Sequence, residues 1–388
     1  MFKQWQQSFS AWKGTKAFLR DCVSSRAVTF FSEGRPYLAF LRPVIDELSE
    51  IHNGPVYYLS SDIDDPYLLS PPNDVKAYFI GKGAAMIYLF SNIKSGTMVM
   101  TMPDLNKYHI KRSAHPLHYV YIFHSMVSTH MVYREGAFDH FDTMLCVGPH
   151  QKEEIRAWEK LRALPEKNLR DHGYGPLDTL MLSAREHHTH DANCPNVLVA
   201  PSWGPKGLLE TVGLDLISIL LSANYKVMVR PHPRTQALSP KKILRLRQKF
   251  GRNKNFSLDL DTSNFDSFLK ADVMIGDWSG AAMEFSLGLQ KPVLFIDLPP
   301  KINNQCWSDI CQTPFEVSYR KDVGTIITPS QLNRVPQLIR ELLANTEQFK
   351  LAALALRKRC IFNVGSSGGE GAKILREIAQ NPQASSIY

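Results

Sequence analysis

Short apolar runs that alternate with helix-like stretches are the feature that most constrains how this chain can fold. In the first half these runs cover residues 27–31, 55–60, 75–80, 97–101, 119–123 and 143–147. Each run is largely apolar and ends at turn-forming residues, which is typical of buried parallel strands. Because helical stretches separate successive runs, the pattern predicts a parallel sheet covered by helices on both faces.

The same alternation begins again after a polar segment. Residues 186–195 contain almost nothing to bury, so we interpret them as a linker between two domains. Beyond it, predicted strands cover residues 196–200, 226–229, 256–260, 273–275 and 293–296. A chain of 388 residues suits two domains. We therefore predict an α/β protein with two Rossmann-like doubly wound domains facing a central cleft, where ligands of such sheets bind.

Five segments follow from this pattern. Residues 1–25 form an N-terminal amphipathic segment, 26–185 the first domain, 186–195 the linker, 196–360 the second domain, and 361–388 a C-terminal loop and helix. Residues 151–185 are expected to be rich in helix. His187, His188 and His190 could bind a metal, but they lack a partner cluster. A solvated linker is therefore the better interpretation.

The formal net charge of +8 favours anionic partners such as nucleotides, phosphorylated polymers or the inner membrane surface. The sequence shows no zinc-finger spacing, RNA-binding signature or long basic block, so nucleic acid is not the expected partner. No apolar run reaches the roughly 18 residues of a membrane span, and the first residues lack the pattern of a secretory signal. We therefore expect a cytoplasmic protein with six reduced cysteines.

Aromatic and basic residues recur at roughly helical spacing in the first 25 residues. The aromatic residues include Trp5, Phe9, Trp12 and Phe18, with basic residues between them. A helix with one aromatic and one basic face suits an anionic membrane surface. The same helix could instead pack against its own domain or a partner subunit, and the sequence leaves both alternatives open.

An Arg-Pro-His-Pro sequence at residues 230–233 directly follows a predicted strand. Its two prolines stiffen the loop and remove two backbone donors. Arg230 and His232 are thereby fixed at a strand end, where a guanidinium can fork onto phosphate oxygens and an imidazole can donate to them. A rigid turn with a surface arginine and a packed histidine is the alternative, and we favour phosphate binding.

A second polar group follows the predicted strand 273–275. Ser279, Gly280 and the next backbone N–H groups would present the positive end of a helix to an anion. Asp277 could fix the loop or accept from a ribose hydroxyl, and Glu284 could reach a nucleoside hydroxyl. Asp277 or Ser279 could also serve only as a helix cap, a role that is compatible with phosphate binding.

Two further loops offer serine side chains. Ser202 follows the predicted strand 196–200 in a loop that also contains Lys206 and two glycines. Ser366 and Ser367 lie in a glycine-serine loop before the last predicted helix. Such loops can contact phosphate through backbone and hydroxyl donors, although similar loops without ligands are common.

His124 directly follows the predicted strand 119–123, and His130 lies a few residues further on. A histidine at a strand end is suited to general-base catalysis because its pKa is close to physiological pH. Either residue could instead be an ordinary core or surface histidine. Glu33 and Gly34 lie in the loop after the first predicted strand, where an acceptor or its phosphate could bind, and His130 is a further candidate for contact with the acceptor.

Several common nucleotide motifs are missing from the sequence. It contains no GxGxxG fingerprint and no Walker sequence, which argues against NAD-binding and P-loop proteins. No DxD-type pair follows a predicted strand in a position to hold a metal–nucleotide complex. We therefore predict neither a cofactor nor a metal site.

Together these residues resemble the CDP-glycerol glycerophosphotransferase family, the polymerases and primases of teichoic-acid and related capsule synthesis. The family's Arg-Pro-His-Pro strand end is matched at residues 230–233, and its Asp-x-Ser-Ser helix start is matched by Asp277 and Ser279, with Gly280 replacing the second serine. Its Ala-Pro-Thr-Trp and Gly-x-Pro-x-x-Asp segments are similar to residues 200–203 and 173–178. Its Trp-His-Gly loop, which carries the proposed catalytic base, is approximated by residues 123–125.

This resemblance implies a GT-B fold and metal-independent transfer of a polyol phosphate, glycerol phosphate foremost. The donor would be CDP-activated, and the acceptor a hydroxyl of a membrane-linked glycan or polyol-phosphate chain in cell-surface polymer synthesis. His124, with His130 as a rival, would be the base, and His232 would act on the donor. A GT-B transferase using a UDP- or CMP-sugar, a sugar-nucleotide epimerase and a non-enzymatic scaffold remain alternatives. Peripheral attachment to the inner face of the cell membrane is also open.

Overall fold

The computed structural model describes residues 2–72, 74–186, 194–261 and 264–381, with side chains from residue 5 onwards. It divides into two compact units. The first unit comprises Met1–Gly175, Asn303–Gln312 and Ile361–Tyr388, and the second comprises Pro176–Ile302 and Thr313–Cys360. The polypeptide therefore leaves the first unit and returns to it twice.

A parallel sheet of seven strands forms the centre of the first unit. Its strands are β1 (Val28–Ser32), β2 (Val56–Ser60), β3 (Val75–Phe79), β4 (Thr97–Met100), β5 (His118–Ile122), β6 (Thr143–Cys146) and β7 (Asn168–Asp171). Their order across the sheet is β3-β2-β1-β4-β5-β6-β7. The order reverses between β1 and β4, so a crevice is expected at the carboxyl ends of these two strands.

Helices cover this sheet: α1 (Phe2–Asp21), α2 (Arg35–Ile51), α3 (Pro66–Leu69), α4 (Ala84–Asn92) and α5 (Pro149–Leu161). A short 3₁₀ helix at Trp307–Ile310 also belongs to this unit. Helix α2 has a proline in its first turn and buries one stripe, from Leu38 and Leu41 to Leu48. That spacing follows the helical period, so one face of α2 packs into the core.

Helix α1 packs on its own domain through its C-terminal half. Phe18 is fully buried, and its ring centroid lies 5.5 Å from that of Tyr57 and 5.7 Å from that of Tyr78. A Cβ at Gly14 would lie 2.1 Å from the Phe79 carbonyl oxygen, so only glycine permits this close approach to β3. Trp5 and Phe9, by contrast, are each 74% exposed. The C-terminal half of α1 therefore packs against its own domain, which is one of the two alternatives that the sequence left open.

A six-stranded parallel sheet forms the centre of the second unit. Its strands are β8 (Asn196–Val199), β9 (Lys226–Val229), β10 (Phe256–Leu258), β11 (Val273–Gly276), β12 (Val293–Ile296) and β13 (Gly324–Ile327). They are ordered β10-β9-β8-β11-β12-β13. This is the Rossmann order, and it reverses between β8 and β11.

The helices of the second unit lie on both sides of this sheet in the chain order expected for βαβ units. They are α6 (Gly175–Glu186), which begins at the last residue of the first unit, α7 (Leu208–Thr211), α8 (Gly213–Ser222), α9 (Pro233–Leu238), α10 (Pro240–Phe250), α11 (Asp266–Lys270), α12 (Gly280–Leu289), α13 (Phe315–Ser318), α14 (Arg320–Val323), α15 (Val335–Ala344) and α16 (Thr346–Cys360). A 3₁₀ helix at Pro329–Arg334 precedes α15.

The last helix, α17 (Ser367–Gln380), belongs to the first unit and packs against α2. A Cβ at Gly368 would lie 2.6 Å from the Pro43 carbonyl oxygen, so the two helices approach closely at this point. Residues 361–388 were predicted as a separate C-terminal loop and helix. Instead, the described part of this segment contributes Ala372, Ile374 and Leu375 to the first unit's core.

The predicted two-domain, parallel-sheet fold is confirmed, and two strands were missed. Strand β7 was predicted as helix, and β13 was not predicted at all. Both are edge strands: β7 buries only Leu169, and β13 buries only Ile327. An edge strand needs little apolar sequence, so the alternation that marks central strands is weak there.

The compact units also divide the chain at Gly175–Pro176 and not at the predicted boundary of residue 185. Helix α6 accordingly packs within the second unit, where Leu180 lies against Gly288. Most of the predicted linker, residues 187–193, lies outside the described residues. Among the residues that are described, no helix is both long and apolar enough to span a membrane.

Candidate active site

The loops after β8 and β11 are joined at the switch point of the second sheet. Asp277 follows β11 and is only 1% exposed. Its Oδ1 accepts a hydrogen bond from the Ser202 N–H at 2.7 Å, and its Oδ2 accepts one from the Leu208 N–H at 3.0 Å. Burial raises the pKa of the Asp277 carboxyl, and the two backbone donors oppose that shift. Asp277 therefore fixes the loop after β8, one of the roles predicted for it.

Helix α12 starts beside this loop with its N-terminus capped by Ser279. The Ser279 Oγ accepts from the Ala281 N–H at 3.2 Å, and Gly280 is the first residue of the helix. The N–H groups of this first turn give the end of the helix a partial positive charge. Glu284 lies in the second turn and is half-buried. The structure thus places Ser202, Asp277, Ser279 and Gly280 at one edge of the sheet.

His232 lies at the carboxyl end of β9 and caps helix α9. Its Nδ1 accepts a hydrogen bond from the Arg234 N–H at 3.0 Å. An accepting Nδ1 places the proton of the neutral ring on Nε2, which is therefore the donor. The imidazole centroid lies 6.2 Å from the Trp203 ring in the loop after β8. The structure thus brings His232 to the same sheet edge as Asp277.

Arg230 directly follows β9, and its guanidinium is bonded to other groups of the second unit. It is 8% exposed, and its guanidinium donates to the Asp259 carboxylate at 2.6 Å and to the Ser267 hydroxyl at 3.2 Å. It also donates to the backbone carbonyls of Asp261 and Asn264. These bonds connect the end of β9 to Asp259 and Asp261 after β10, and to Asn264 and Ser267. In this ligand-free structure its Nη1 and Nη2 groups are bonded to internal acceptors, and the binding of a donor diphosphate by Arg230 stays a prediction.

Trp203 carries two cations that the sequence had not assigned to the site. The Arg234 Cζ lies 4.2 Å and the Lys301 Nζ 3.5 Å from the centroid of its indole ring. Burial, with repulsion from Arg234, lowers the pKa of Lys301 to about 8. Across the described part of the chain, neither cation forms an ion pair with a carboxylate. Positive charge is therefore concentrated at this edge of the sheet.

Trp278 joins the loop after β11 to the loop after β12, which carries Lys301. Its Nε1 donates to the Leu298 carbonyl at 2.6 Å. The Arg320 guanidinium lies 3.6 Å from the Trp278 ring centroid and is bonded to Asp297 through Nη2 at 3.1 Å. Arg320 is 5% exposed, and its Nε and Nη1 have no hydrogen-bond partner among the described residues. Neither Lys301 nor Arg320 belongs to a sequence motif, which is why both were missed.

His124 lies just beyond β5 in the first unit, among aromatic side chains. Its Nδ1 is 3.1 Å from the Thr101 carbonyl oxygen and 3.1 Å from the Tyr121 hydroxyl. Because a carbonyl only accepts, the proton of the neutral ring lies on Nδ1, and Nε2 keeps its lone pair. Burial lowers the pKa of His124 to about 4. The imidazole is therefore neutral at physiological pH with its lone pair on Nε2, and the lowered pKa makes it a weaker base than an ordinary histidine.

Glu33 and Gly34 lie at the same edge of the first sheet, after β1. Gly34 has a φ of 140° and caps α2, and a Cβ there would lie 3.2 Å from Asp62. The backbone thus needs glycine at this turn. The pKa of Tyr121 is raised, chiefly by burial and in smaller part by the Glu33 carboxylate. The negative charge of Glu33 therefore disfavours ionisation of the Tyr121 hydroxyl, which contacts His124.

His130 is not part of this group. It is fully buried, and its Nδ1 lies 3.2 Å from the Glu154 carboxylate. Its Nε2 is 3.2 Å from the Gln312 carbonyl oxygen, and its own carbonyl accepts from Asn304 at 3.0 Å. These contacts fix the returning segment 303–312 on the first unit. The ring has no exposed surface in this structure, and a role of His130 towards an acceptor or as the base stays a prediction.

Ser366 and Ser367 lie in the first unit and not with the donor-side residues of the second. Ser367 has no exposed surface, and the Ser366 Oγ donates to the Asn363 carbonyl at 3.2 Å. The glycines that follow them permit the close packing of α17 on α2. Ser366 and Ser367 were predicted to contribute to donor binding, and the structure places their segment in the first unit.

Neither metal ligands nor reactive thiols stand out in the described ranges. They contain no group of three or more His, Cys, Asp or Glu side chains placed to hold a metal ion. His187, His188 and His190 lie outside the described residues. The cysteines are free thiols, and burial raises the pKa of Cys22 to about 11, which keeps it protonated.

Comparison with known proteins gives matches in structure and none in sequence. No protein-family model matches the chain, and no curated protein matches it by sequence. The fold is nevertheless similar to that of the wall teichoic acid polymerase TagF, with a TM-score of 0.61 and 14% identity over 99% of both chains. A variant of that polymerase soaked with CDPG matches with a TM-score of 0.60 and 13% identity, again over 99% of both chains.

The fold is also similar to that of sugar-nucleotide epimerases. The UDP-GlcNAc 2-epimerase of Methanocaldococcus jannaschii, in complex with UDP-GlcNAc and UDP, matches with a TM-score of 0.57 and 13% identity over 92% of this chain and all of the other. The Neisseria meningitidis enzyme bound to UDP-GlcNAc matches with a TM-score of 0.54 and 13% identity over 90% and 98%. At these identities the likeness is one of fold, and it confirms the predicted GT-B architecture of two parallel-sheet α/β domains.

Proposed function

We propose that this chain transfers a polyol phosphate, glycerol phosphate foremost, from a CDP-activated donor to a hydroxyl of a membrane-linked glycan or polyol-phosphate acceptor. The second unit binds the donor, and the first unit supplies the general base. The reaction proceeds without a metal ion and contributes to a cell-surface polymer.

The proposal depends mainly on one observation. The motifs that resemble the CDP-glycerol glycerophosphotransferase family, around His232, Asp277 and Ser279, come together at the switch point of the second sheet. They do so in a chain whose fold matches a teichoic acid polymerase over 99% of its length. A matching motif without this placement would support only a turn, whereas ligands of open α/β sheets bind at such points.

The chemistry assigned to each residue follows from its hydrogen bonds. His124 Nε2 accepts the proton of the acceptor hydroxyl, and the Thr101 carbonyl orients the ring through Nδ1–H. The acceptor oxygen attacks the phosphorus of the polyol phosphate, and the bond from that phosphorus to the bridging oxygen of CMP breaks. The His232 Nε2–H and the first turn of α12 stabilise the negative charge that develops on the departing CMP.

Release of CMP is the direct test. Purified protein is incubated with CDP-glycerol, CDP-ribitol or another CDP-polyol together with a lipid-linked acceptor, and CMP is quantified by chromatography. We expect acceptor-dependent CMP release in which His124→Asn is inactive. If no CDP-polyol yields CMP with the intact protein, the proposed reaction is refuted.

A UDP-linked donor is the second candidate, since the fold is also similar to that of enzymes solved with UDP-GlcNAc. The same phosphate contacts would serve a UDP- or CMP-sugar transferase. Thermal-shift measurements with CDP, UDP, GDP and CMP distinguish the donors, because a ligand that binds the folded state raises the melting temperature. A larger shift with UDP than with CDP would favour the sugar transferase.

The exposed end of α1 supports peripheral membrane binding as part of this function. Trp5 and Phe9 project from the first unit with three quarters of their surface exposed, and Lys13 and Lys16 on the same helix are exposed as well. Aromatic side chains beside lysines suit the headgroup region of an anionic bilayer. An acceptor anchored in the inner face of the cell membrane would be reached from this position.

A further inference from the structure

Two cations converge on the Trp203 ring, and neither forms an ion pair with a carboxylate of the described residues. The Lys301 Nζ lies 3.5 Å and the Arg234 Cζ 4.2 Å from its centroid, so both positive charges lie over one indole. The Arg234 charge repels the Lys301 ammonium, and burial of the lysine adds to the free-energy cost of keeping it charged. The cation–π attraction of the indole offsets only part of that cost. An arrangement of this kind is stabilised when an anion binds.

The position of this cluster is that of a ligand site. Trp203 lies in the loop after β8, which Asp277 fixes, and His232 lies 6.2 Å from the indole. Lys301 lies in the loop after β12, which is held by the hydrogen bond from Trp278 to Leu298. All of these loops follow the carboxyl ends of neighbouring strands, where open α/β sheets bind their ligands.

A third cation adds an independent indication. Arg320 stacks on Trp278, is 5% exposed, and leaves its Nε and Nη1 without hydrogen-bond partners among the described residues. Asp297 neutralises it through Nη2. Buried guanidinium N–H groups without partners are costly, and they are common where a ligand completes the hydrogen bonding.

We infer that Lys301 and Arg234, held by Trp203, bind the two phosphates of a nucleoside diphosphate. Neither residue belongs to the motifs that suggested the function, and the inference extends the proposed function by naming the groups that recognise its donor. Arg234 would bind one phosphate as a planar fork, and Lys301 would bind the other as a point charge. CMP, the product, carries a single phosphate and loses one of these contacts, so it binds less tightly than the donor.

Calorimetric titration with CDP, CMP and inorganic pyrophosphate tests this assignment. Lys301→Met removes the charge and keeps the length of the side chain, whereas Lys301→Arg restores the charge. Lys249→Met is the matched control, since Lys249 also lies over an aromatic ring, at 5.2 Å from the Phe250 centroid, on the exposed face of α10. Circular dichroism establishes that each variant is folded.

We expect Lys301→Met to weaken CDP and pyrophosphate binding by about 10- to 100-fold, the loss typical of one charge-assisted hydrogen bond. CMP binding changes by much less, and Lys301→Arg and Lys249→Met bind like the original protein. Unchanged CDP and pyrophosphate affinity in Lys301→Met overturns the inference and leaves the proposed function intact. Binding of pyrophosphate that depends on Lys301, without any binding of CDP, supports the diphosphate site and refutes the proposed donor.

A pH series separates a direct contact from a structural role. The groups that act on the Lys301 ammonium are Arg234 and Asp277, and its pKa without ligand is about 8. A bound diphosphate raises that pKa, so CDP affinity falls by up to tenfold per pH unit above pH 8. Lys301→Arg abolishes the fall because arginine stays charged. The same fall in Lys301→Arg would show that Lys301 does not contact the diphosphate.

Discussion

Asp277→Asn should loosen the loop after β8 and weaken donor binding at the same time. The carboxylate accepts one hydrogen bond through each oxygen, from the N–H groups of Ser202 and Leu208. An asparagine keeps one acceptor, but its amide group then faces the second N–H. One buried N–H therefore loses its partner, and the loop that carries Trp203 is held at a single point.

The magnitude follows from these contacts. A hydrogen bond to a charged acceptor contributes about 1.5–3 kcal/mol, and leaving a buried N–H unpaired costs about 1–3 kcal/mol. Burial raises the pKa of Asp277, which shows that desolvation of the carboxylate already offsets part of the gain. We therefore expect Asp277→Asn to lower the free energy of unfolding by about 2 kcal/mol.

Asp272→Asn is the matched control at the opposite end of the same strand. The Asp272 carboxylate accepts from the Asn196 N–H at 2.8 Å, just before β8 and β11 begin. Urea unfolding and calorimetric titration with CDP are measured for both variants. Both should be less stable than the original protein, but only Asp277→Asn should bind CDP more weakly. Equal CDP affinity in the two variants would refute the idea that Asp277 shapes the donor site.

Three further predictions concern the first unit. His124→Asn should lower kcat by about 100- to 10,000-fold with unchanged CDP affinity, since only the base is removed. Burial lowers the pKa of His172 to about 4, so the free energy of unfolding falls as the pH drops from 6.5 towards 4. In acid unfolding, His172→Gln should remove about 3 kcal/mol of that decrease. Replacing Trp5 and Phe9 with serine should reduce co-sedimentation with anionic phospholipid vesicles without lowering the melting temperature.

Each of these has a control in the same chain. His115 is exposed, so His115→Asn should change neither kcat nor acid stability. Leu351 is 64% exposed in the second unit, and Leu351→Ser should leave vesicle binding unchanged. A normal kcat in His124→Asn, an acid transition unaffected by His172→Gln, or full vesicle binding by the serine variant would each contradict the corresponding assignment.

The fold was predictable where strands are central and buried. Such strands carry continuous apolar runs, and β9 and β12 begin and end at the residues predicted. Edge strands β7 and β13 carry no such run, because each buries a single side chain. The division of the chain was also only partly predictable, since the return of residues 303–312 depends on long-range bonds such as that from Asn304 to His130.

The candidate site was also only partly predictable from the sequence, because the direction of single side chains could not be predicted. A motif indicates which residues follow a strand, but it does not determine where a long side chain points. Arg230 directly follows β9, and Arg234 lies four residues later in the first turn of α9. Arg230 nevertheless points to the acceptors around Asp259, whereas Arg234 lies over Trp203. Because acidic partners and aromatic platforms come from distant parts of the sequence, only the folded chain shows which cation is neutralised. Among the described residues, the cations over Trp203 that form no ion pair with a carboxylate are Arg234 and Lys301, and we therefore propose these two as the donor contacts.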